Sequence, residues 1–222
     1  MKNHWTSKIS FSLLAAALCL CAFIGIALSI SDNQIHRFDD VLISWIQGME
    51  SPGMTRLMQF FTWIGSGRQV VIITILAMLV LYLYLGHRRE LLFLAIVLVG
   101  STVLNALLKA VFGRARPTIH RIIEVSGYSF PSGHSMASFS LYGGLAFLIW
   151  KHIPSFTGRV FMMVASAVFI LTIGMSRIYL GVHYPSDVVG GYFISGCWLF
   201  TCIWFYRRYL QRLSGLQTSS IV

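Results

Sequence analysis

The sequence predicts an all-α, polytopic membrane protein with six transmembrane helices and a short interfacial helix between the first and second. Three observations carry this prediction. Of the 222 residues, 56% are hydrophobic and only 11% charged, where a soluble domain has roughly 25% charged. Mean hydropathy is +0.74. The apolar residues also gather in runs close to the ~20 residues that cross a bilayer as a helix. One membrane-embedded domain, residues 1–222, accommodates the whole chain.

The first run covers about residues 9–30, behind Lys2 and Lys8. A signal peptide also opens on basic residues, but its apolar core is about 7 to 15 residues long and ends at a small-x-small site. This run is longer and no such site stands before Asp32, so it reads as a retained span. Residues 32–56 hold Asp32, Asp39, Asp40 and Glu50 among apolar positions. Phe38, Val41, Leu42, Trp45 and Ile46 have the spacing of one helical face, which predicts a helix lying on the membrane surface. The adjacent acids Asp39 and Asp40 read there as a solvated face, not as metal ligands. Further spans are expected at about 68–86, 91–112, 135–151, 160–179 and 188–206.

Six crossings put both termini on one side. That side collects Lys2, Lys8, Arg88, Arg89, Lys151, Arg159, Arg207, Arg208 and Arg212, with Glu90 as its only acid. The positive-inside rule makes it cytoplasmic and turns the opposite helix ends outward. The basic residues divide nine to eight between the faces, so this orientation depends on setting aside the outward ones as functional. The formal charge of +10 would also suit nucleic acid, but the cations are scattered at the ends of apolar segments instead of forming a stripe. Anionic membrane lipid is the expected partner, with no nucleic acid and no obligate protein partner implied. Cys19, Cys21, Cys197 and Cys202 fall inside apolar runs and read as small hydrophobes, without disulfide or metal spacing.

Three polar clusters interrupt this pattern at one membrane face. In 176–187, Ser-Arg-Ile-Tyr-Leu-Gly-Val-His-Tyr-Pro-Ser-Asp, an arginine, a histidine and a carboxylate sit between two apolar runs. A charge held near a membrane is costly unless paired or used. Pro185 or Ser186 reads as a helix start, with His183 just outside it and Asp187 in the first turn. From there Asp187 can reach back to one ring nitrogen and leave the other free to react, as in an activated nucleophile. In 109–117, Lys109 must snorkel or meet an anion, and Pro117 stops Arg116 from continuing a helix. Alone, this cluster reads first as a basic helix end at a lipid headgroup. In 128–135, Pro131, Ser132, Gly133 and His134 open a helix whose free N–H groups and dipole favour an anion. Alone, it equally suits a capped helix start.

Pooled, the clusters offer three cations, an anion-binding helix start and two histidines. That inventory suits phosphoryl transfer, where the barrier falls through positioning and charge stabilisation. Asp187 is the only acid within the clusters, too few for a magnesium or two-metal site, so no metal and no cofactor is expected.

Lys109-x6-Arg116-Pro117, Pro131-Ser132-Gly133-His134 and Ser176-Arg177-x5-His183-x3-Asp187 resemble, without gaps, the three-part signature of the type 2 phosphatidic acid phosphatase superfamily. The resemblance covers about residues 90–206. The small form is similar to bacterial phosphatidylglycerophosphate and undecaprenyl pyrophosphate phosphatase members. The resemblance implies that His183 attacks phosphorus to form a phosphohistidine, that Asp187 orients and charges its ring, and that His134 protonates the leaving oxygen and later helps activate water. It also implies that Lys109, Arg116, Arg177, Ser132 and the N–H of Gly133 hold the phosphoryl oxygens of a lipid phosphate. The rival reading is a transporter or lipid-binding protein holding the anion without turnover; an oriented nucleophile speaks against it. The family's vanadium haloperoxidases share the anion site but are expected to be soluble.

The remaining polar residues have plainer readings. His4, His36, His87 and His152 read as interfacial, and Arg114, His120, Arg121, Glu124 and Tyr128 as loop residues either solvated or touching a headgroup. Thr102 and Asn105 are expected to bond between helices. Gly143, Gly144, Gly190, Gly191 and Gly196 suit close helix packing, while Trp5, Trp63, Trp150, Trp204 and Tyr206 suit interfacial belts. The stretch 214–222 reads as a disordered tail.

Overall fold

The computed structural model describes residues 2–32, 34–86, 88–118 and 120–219, with side chains described except at 2–10, 84–85 and 214–219. The expectations for His4, Trp5 and His87 lie outside the described side chains. The described chain contains helices α1 (Lys2–Ser31), α2 (His36–Gln47), α3 (Pro52–Ile64), α4 (Gly67–Leu85), α5 (Arg88–Phe112), α6 (Gly133–Ile149), α7 (Phe156–Tyr179) and α8 (Pro185–Ser219). The segment between α1 and α4 thus holds two helices, α2 and α3, where the sequence predicts one. α8 runs on to Ser219, into the stretch expected to be disordered, because no proline interrupts it; 220–222 lie outside the described residues.

Among the described residues, four helices are each long and apolar enough to cross a membrane: Phe11–Ser31 of α1, α5, α7, and Pro185–Leu213 of α8. α3 and α4 pass the same test only together, bent by 57° at the Gly65–Ser66 break, and would make a fifth. By length and hydropathy alone, the described residues thus give four or five candidate spans where six are expected. α6 falls short because it begins only at Gly133 and gives way to a 3-10 turn at Trp150–His152, leaving 17 residues.

Polarity is arranged for lipid. Phe11, Leu14, Leu18, Ile75, Val103 and Phe161 are exposed, whereas Asp39, Ser129, Ser132, Ser186 and Asp187 are wholly buried. This inversion of the soluble pattern identifies a multi-pass membrane protein. α1 packs along α8, α3 along α7, and α6 contacts α5, α7 and α8. Leu94, Val97, Leu141, Leu148 and Leu199 join α5, α6 and α8 in the main apolar core. The backbones come close where glycine permits it. A Cβ on Gly191 would meet Ser132 O at 3.1 Å, and one on Gly196 would meet Cys19 Sγ at 3.0 Å. All four cysteines are free thiols.

Candidate active site

The three polar clusters converge at one end of this bundle. The chain leaves α5 through Gly113, whose φ of +55° is left-handed and whose N–H donates to Lys109 O at 3.0 Å. This glycine-type helix stop turns the next residues away from the α5 axis and delivers Arg114 and Arg116 inward. At the end of α7, Gly181 adopts φ +74°, and the N–H groups of Val182 and His183 both donate to Arg177 O, at 3.1 and 3.2 Å. α8 then starts at Pro185, so His183 stands just outside it and Asp187 in its first turn, as the spacing predicts. The second cluster is tied to the third through Ser132 N–H, which donates to Asp187 O at 3.0 Å.

His183 is 2% exposed. Its Nε2 lies 3.1 Å from Arg116 Nη1, and its Nδ1 lies 3.3 Å from Asp187 Oδ2. A guanidinium only donates. Nε2 must therefore present its lone pair, and the ring proton sits on Nδ1 facing the carboxylate. Burial pushes the His183 pKa down to about 4, against the opposing pull of Asp187, so the ring is neutral near pH 7.

Arg116 is held rigidly. Its Nε donates to Gly127 O at 2.9 Å, Nη1 also to Val182 O at 2.8 Å, and Nη2 to Ser126 O at 3.3 Å. Burial pushes its pKa down from the usual value. Lys109 Nζ donates to Tyr128 O at 2.8 Å. Arg177 Nη1 bonds Thr62 Oγ1 of α3, while its buried Nε has no hydrogen-bond partner. His134, second residue of α6, lies in the electrostatic field of Arg177, His183, Lys109 and Arg116, with its ring edge against Gly65 at the α3–α4 bend. Ser132 Oγ caps α6, accepting from Ser135 N–H at 3.4 Å and from Ser135 Oγ at 3.0 Å, which leaves its own O–H to donate. Gly133 opens the helix beside Asn105, whose Nδ2 donates to Pro131 O at 3.0 Å. His134, His183, Asp187, Lys109, Arg116 and Arg177 thus lie within electrostatic reach of one another, and Ser132, with Gly133 next to it, is tied to Asp187 through its N–H. Among the described residues, no three of His, Cys, Asp and Glu cluster in a way that would hold a metal ion.

The family model of the PAP2 superfamily matches residues 90–211, more than half of the chain. The chain belongs to the PAP2 superfamily. It is 29% identical over 171 residues to phosphatidylglycerophosphatase B of Bacillus subtilis, covering 77% of this chain and 84% of that one. It is 28% identical over 193 residues to an undecaprenyl-diphosphatase of Sulfolobus acidocaldarius, covering 84% and 85%. In three dimensions it is similar to the crystal structure of the transmembrane PAP2-type phosphatidylglycerolphosphate phosphatase from Bacillus subtilis. That match has a TM-score of 0.80 and 25% identity, and covers 86% of this chain and 95% of that one.

Beyond the superfamily signature, the structure adds residues that the sequence reading placed elsewhere. Asp39, expected on a solvated face, is wholly buried. It accepts from Ser186 N–H at 2.8 Å, Ser186 Oγ at 2.7 Å and Arg114 Nη2 at 2.9 Å. Arg114, expected at solvent or a headgroup, also donates through Nη1 to Asp187 Oδ1 at 2.6 Å and stacks on the Tyr184 ring, 4.1 Å from its centroid. Ser129 Oγ bonds Asp187 Oδ2. The signal for Asp39 is its register: it shares a helical face with Ile43 and Ile46, which pack inward, while Phe38, Val41 and Trp45 are exposed. Thr102, expected to bond between helices, bonds Leu98 O of its own helix at 2.9 Å.

Proposed function

We infer that this PAP2 protein is an integral membrane phosphatase that removes the terminal phosphate of a lipid phosphate or diphosphate through a phosphohistidine on His183. The observation that carries the reading is the two-sided restraint on that ring. Nδ1–H is held by Asp187, and the Nε2 lone pair is turned to the cationic centre. When a phosphoryl group binds, its oxygens take the Arg116 N–H from Nε2, together with the partnerless Nε–H of Arg177, Lys109, the Ser132 O–H and the Gly133 N–H. The equatorial oxygens are thereby neutralised without a metal.

The N–P bond from Nε2 forms as the P–O bond to the lipid breaks, and His134 gives its proton to the departing oxygen. Negative charge on the bound phosphate offsets the three cations around His134, which lets that ring carry the proton. Asp187 stabilises the positive charge that builds on the His183 ring. In the second half, His134 takes a proton from water while the water oxygen attacks phosphorus. The N–P bond then breaks and inorganic phosphate is released. Phosphatidylglycerophosphate, undecaprenyl pyrophosphate and phosphatidate all present the terminal group this centre would grip. Relatives named for phosphatidylglycerophosphate and for undecaprenyl diphosphate support the first two as substrates.

The reading further has α4 and α6 crossing as well, giving six passes of a bacterial cell membrane with cytoplasmic termini and an outward active site. A reporter fused after Arg208 should then score as cytoplasmic, and an external score would invert the topology. The activity is tested by phosphate release from a detergent-solubilised panel of these lipids in EDTA. Wild type should turn over and His183→Ala should not. Full turnover by His183→Ala, or none by wild type on any of them, would refute the reading.

A further inference from the structure

Two buried carboxylates on different helices share one guanidinium beside the reacting ring. Asp39 of α2 and Asp187 of α8 are both wholly inaccessible. Arg114 spans them with Nη2 on Asp39 Oδ2 at 2.9 Å and Nη1 on Asp187 Oδ1 at 2.6 Å. Nη1 also reaches Ser186 Oγ at 2.8 Å, and the Tyr184 ring covers the guanidinium plane. Three of its five N–H donors thus go to this cluster, whereas the buried Nε of Arg177 has no hydrogen-bond partner. Asp39 in turn holds the first turn of α8 through Ser186 N–H, one residue from Asp187. Tyr184 N–H closes on Asp187 Oδ2 at 2.9 Å, the reciprocal arm of a capping box.

The arrangement fixes both oxygens of Asp187. Oδ1 is occupied by Arg114, so Oδ2 alone faces Ser129, Tyr184 N–H and His183 Nδ1. A carboxylate free to rotate would offer His183 either oxygen, over a range of directions. Leaving one member of such a buried charged set unpaired is costly, so the three move together or not at all.

We propose that Asp39 and Arg114 form a positioning pair for the phosphatase reaction: the interfacial helix α2, through Asp39, and the α5–α6 loop, through Arg114, aim Asp187 at His183 without touching substrate. The inference rests on the role given above to His183 and Asp187. It makes docking of α2 a condition of catalysis, although α2 carries no signature residue.

The test uses the full chain in detergent with a lipid phosphate monoester, measuring kcat and KM per folded molecule for Asp39→Asn, Arg114→Gln and Arg114→Lys, each alone and combined with Asp187→Asn. Positioning through Asp187 lowers kcat on the order of 10–100-fold, as loss of an orienting partner typically does, with KM and inhibition by inorganic phosphate unchanged. Arg114→Lys recovers part of the loss, because an ammonium keeps the charge but not the fork that spans two carboxylates. In the Asp187→Asn background the same changes cost nothing further, since the group they act through is already disabled. Unchanged kcat, a rise confined to KM, or full additivity with Asp187→Asn would overturn the proposal. Failure of all three single variants to fold would overturn it as well, by making the pair structural. A wild type without turnover would instead refute the phosphatase reading, so the two failures are distinguishable.

Discussion

Replacing Asp187 by asparagine changes few atoms but sets donors against donors. Oδ2 of Asp187 receives Tyr184 N–H, Ser129 Oγ and His183 Nδ1, while Oδ1 receives Arg114 Nη1. An asparagine has one acceptor oxygen and one NH2 group, so the NH2 must face either the three-donor side or Arg114. Facing the three donors, it forces His183 to accept at Nδ1 and carry its proton on Nε2, where Arg116 Nη1 also donates. The nucleophilic lone pair is then gone. Facing Arg114, it leaves a buried guanidinium N–H without an acceptor, at about 1–3 kcal/mol. It also removes the negative charge that stabilises the charged ring after attack. In a serine protease the same change costs about 10⁴-fold in kcat through the wrong tautomer, equivalent to about 5 kcal/mol of barrier. A loss of roughly that size is expected here. The assay is phosphate release per folded molecule, with thermal unfolding measured in parallel. A variant that turns over near the wild-type rate would refute the tautomer argument.

Two further outcomes follow from particular contacts. Trp198 packs on Gly100 and donates Nε1–H to Val97 O at 3.0 Å, so Gly100→Val should destabilise the α5–α8 contact by about 1–3 kcal/mol. A thermal transition unchanged from wild type would show that the helices separate there freely. His183 is held neutral by burial, with a pKa near 4 against an ordinary 6.5. Between those values the unfolded chain binds a proton that the folded one refuses, so stability from this group is full above pH 6.5 and falls as the pH drops toward 4. His183→Gln should lose that part of the pH dependence, and an identical stability profile for the two proteins would refute the assignment.

Much of this site is legible in the sequence because its chemistry is local. Pro185 between His183 and Asp187 sets a helix start, and the structure begins α8 there. Pro131 to His134 announce another, and α6 begins at Gly133. The support around Asp187 is not legible in the same way, because it arises only when distant elements dock. Asp39 lies 148 positions before Asp187, and nothing in its neighbourhood other than its register with Ile43 and Ile46 distinguishes it from the solvated Asp40. Ser129 is one of three serines in its cluster, with Ser132 and Ser135. The hydroxyl three residues on, Ser132, is the one the sequence favours, yet it is Ser129 that meets the carboxylate. The division into spans is hard to read for a related reason: hydropathy detects apolar runs but not the 57° bend between α3 and α4.

The fate of configuration at phosphorus tests the covalent step most directly. A chiral, isotopically labelled thiophosphate monoester of a lipid is hydrolysed in labelled water, and the stereochemistry of the released thiophosphate is read. Two successive in-line displacements, on and off His183, require net retention. Net inversion would mean that water attacks the substrate itself, and the phosphohistidine would have to be abandoned.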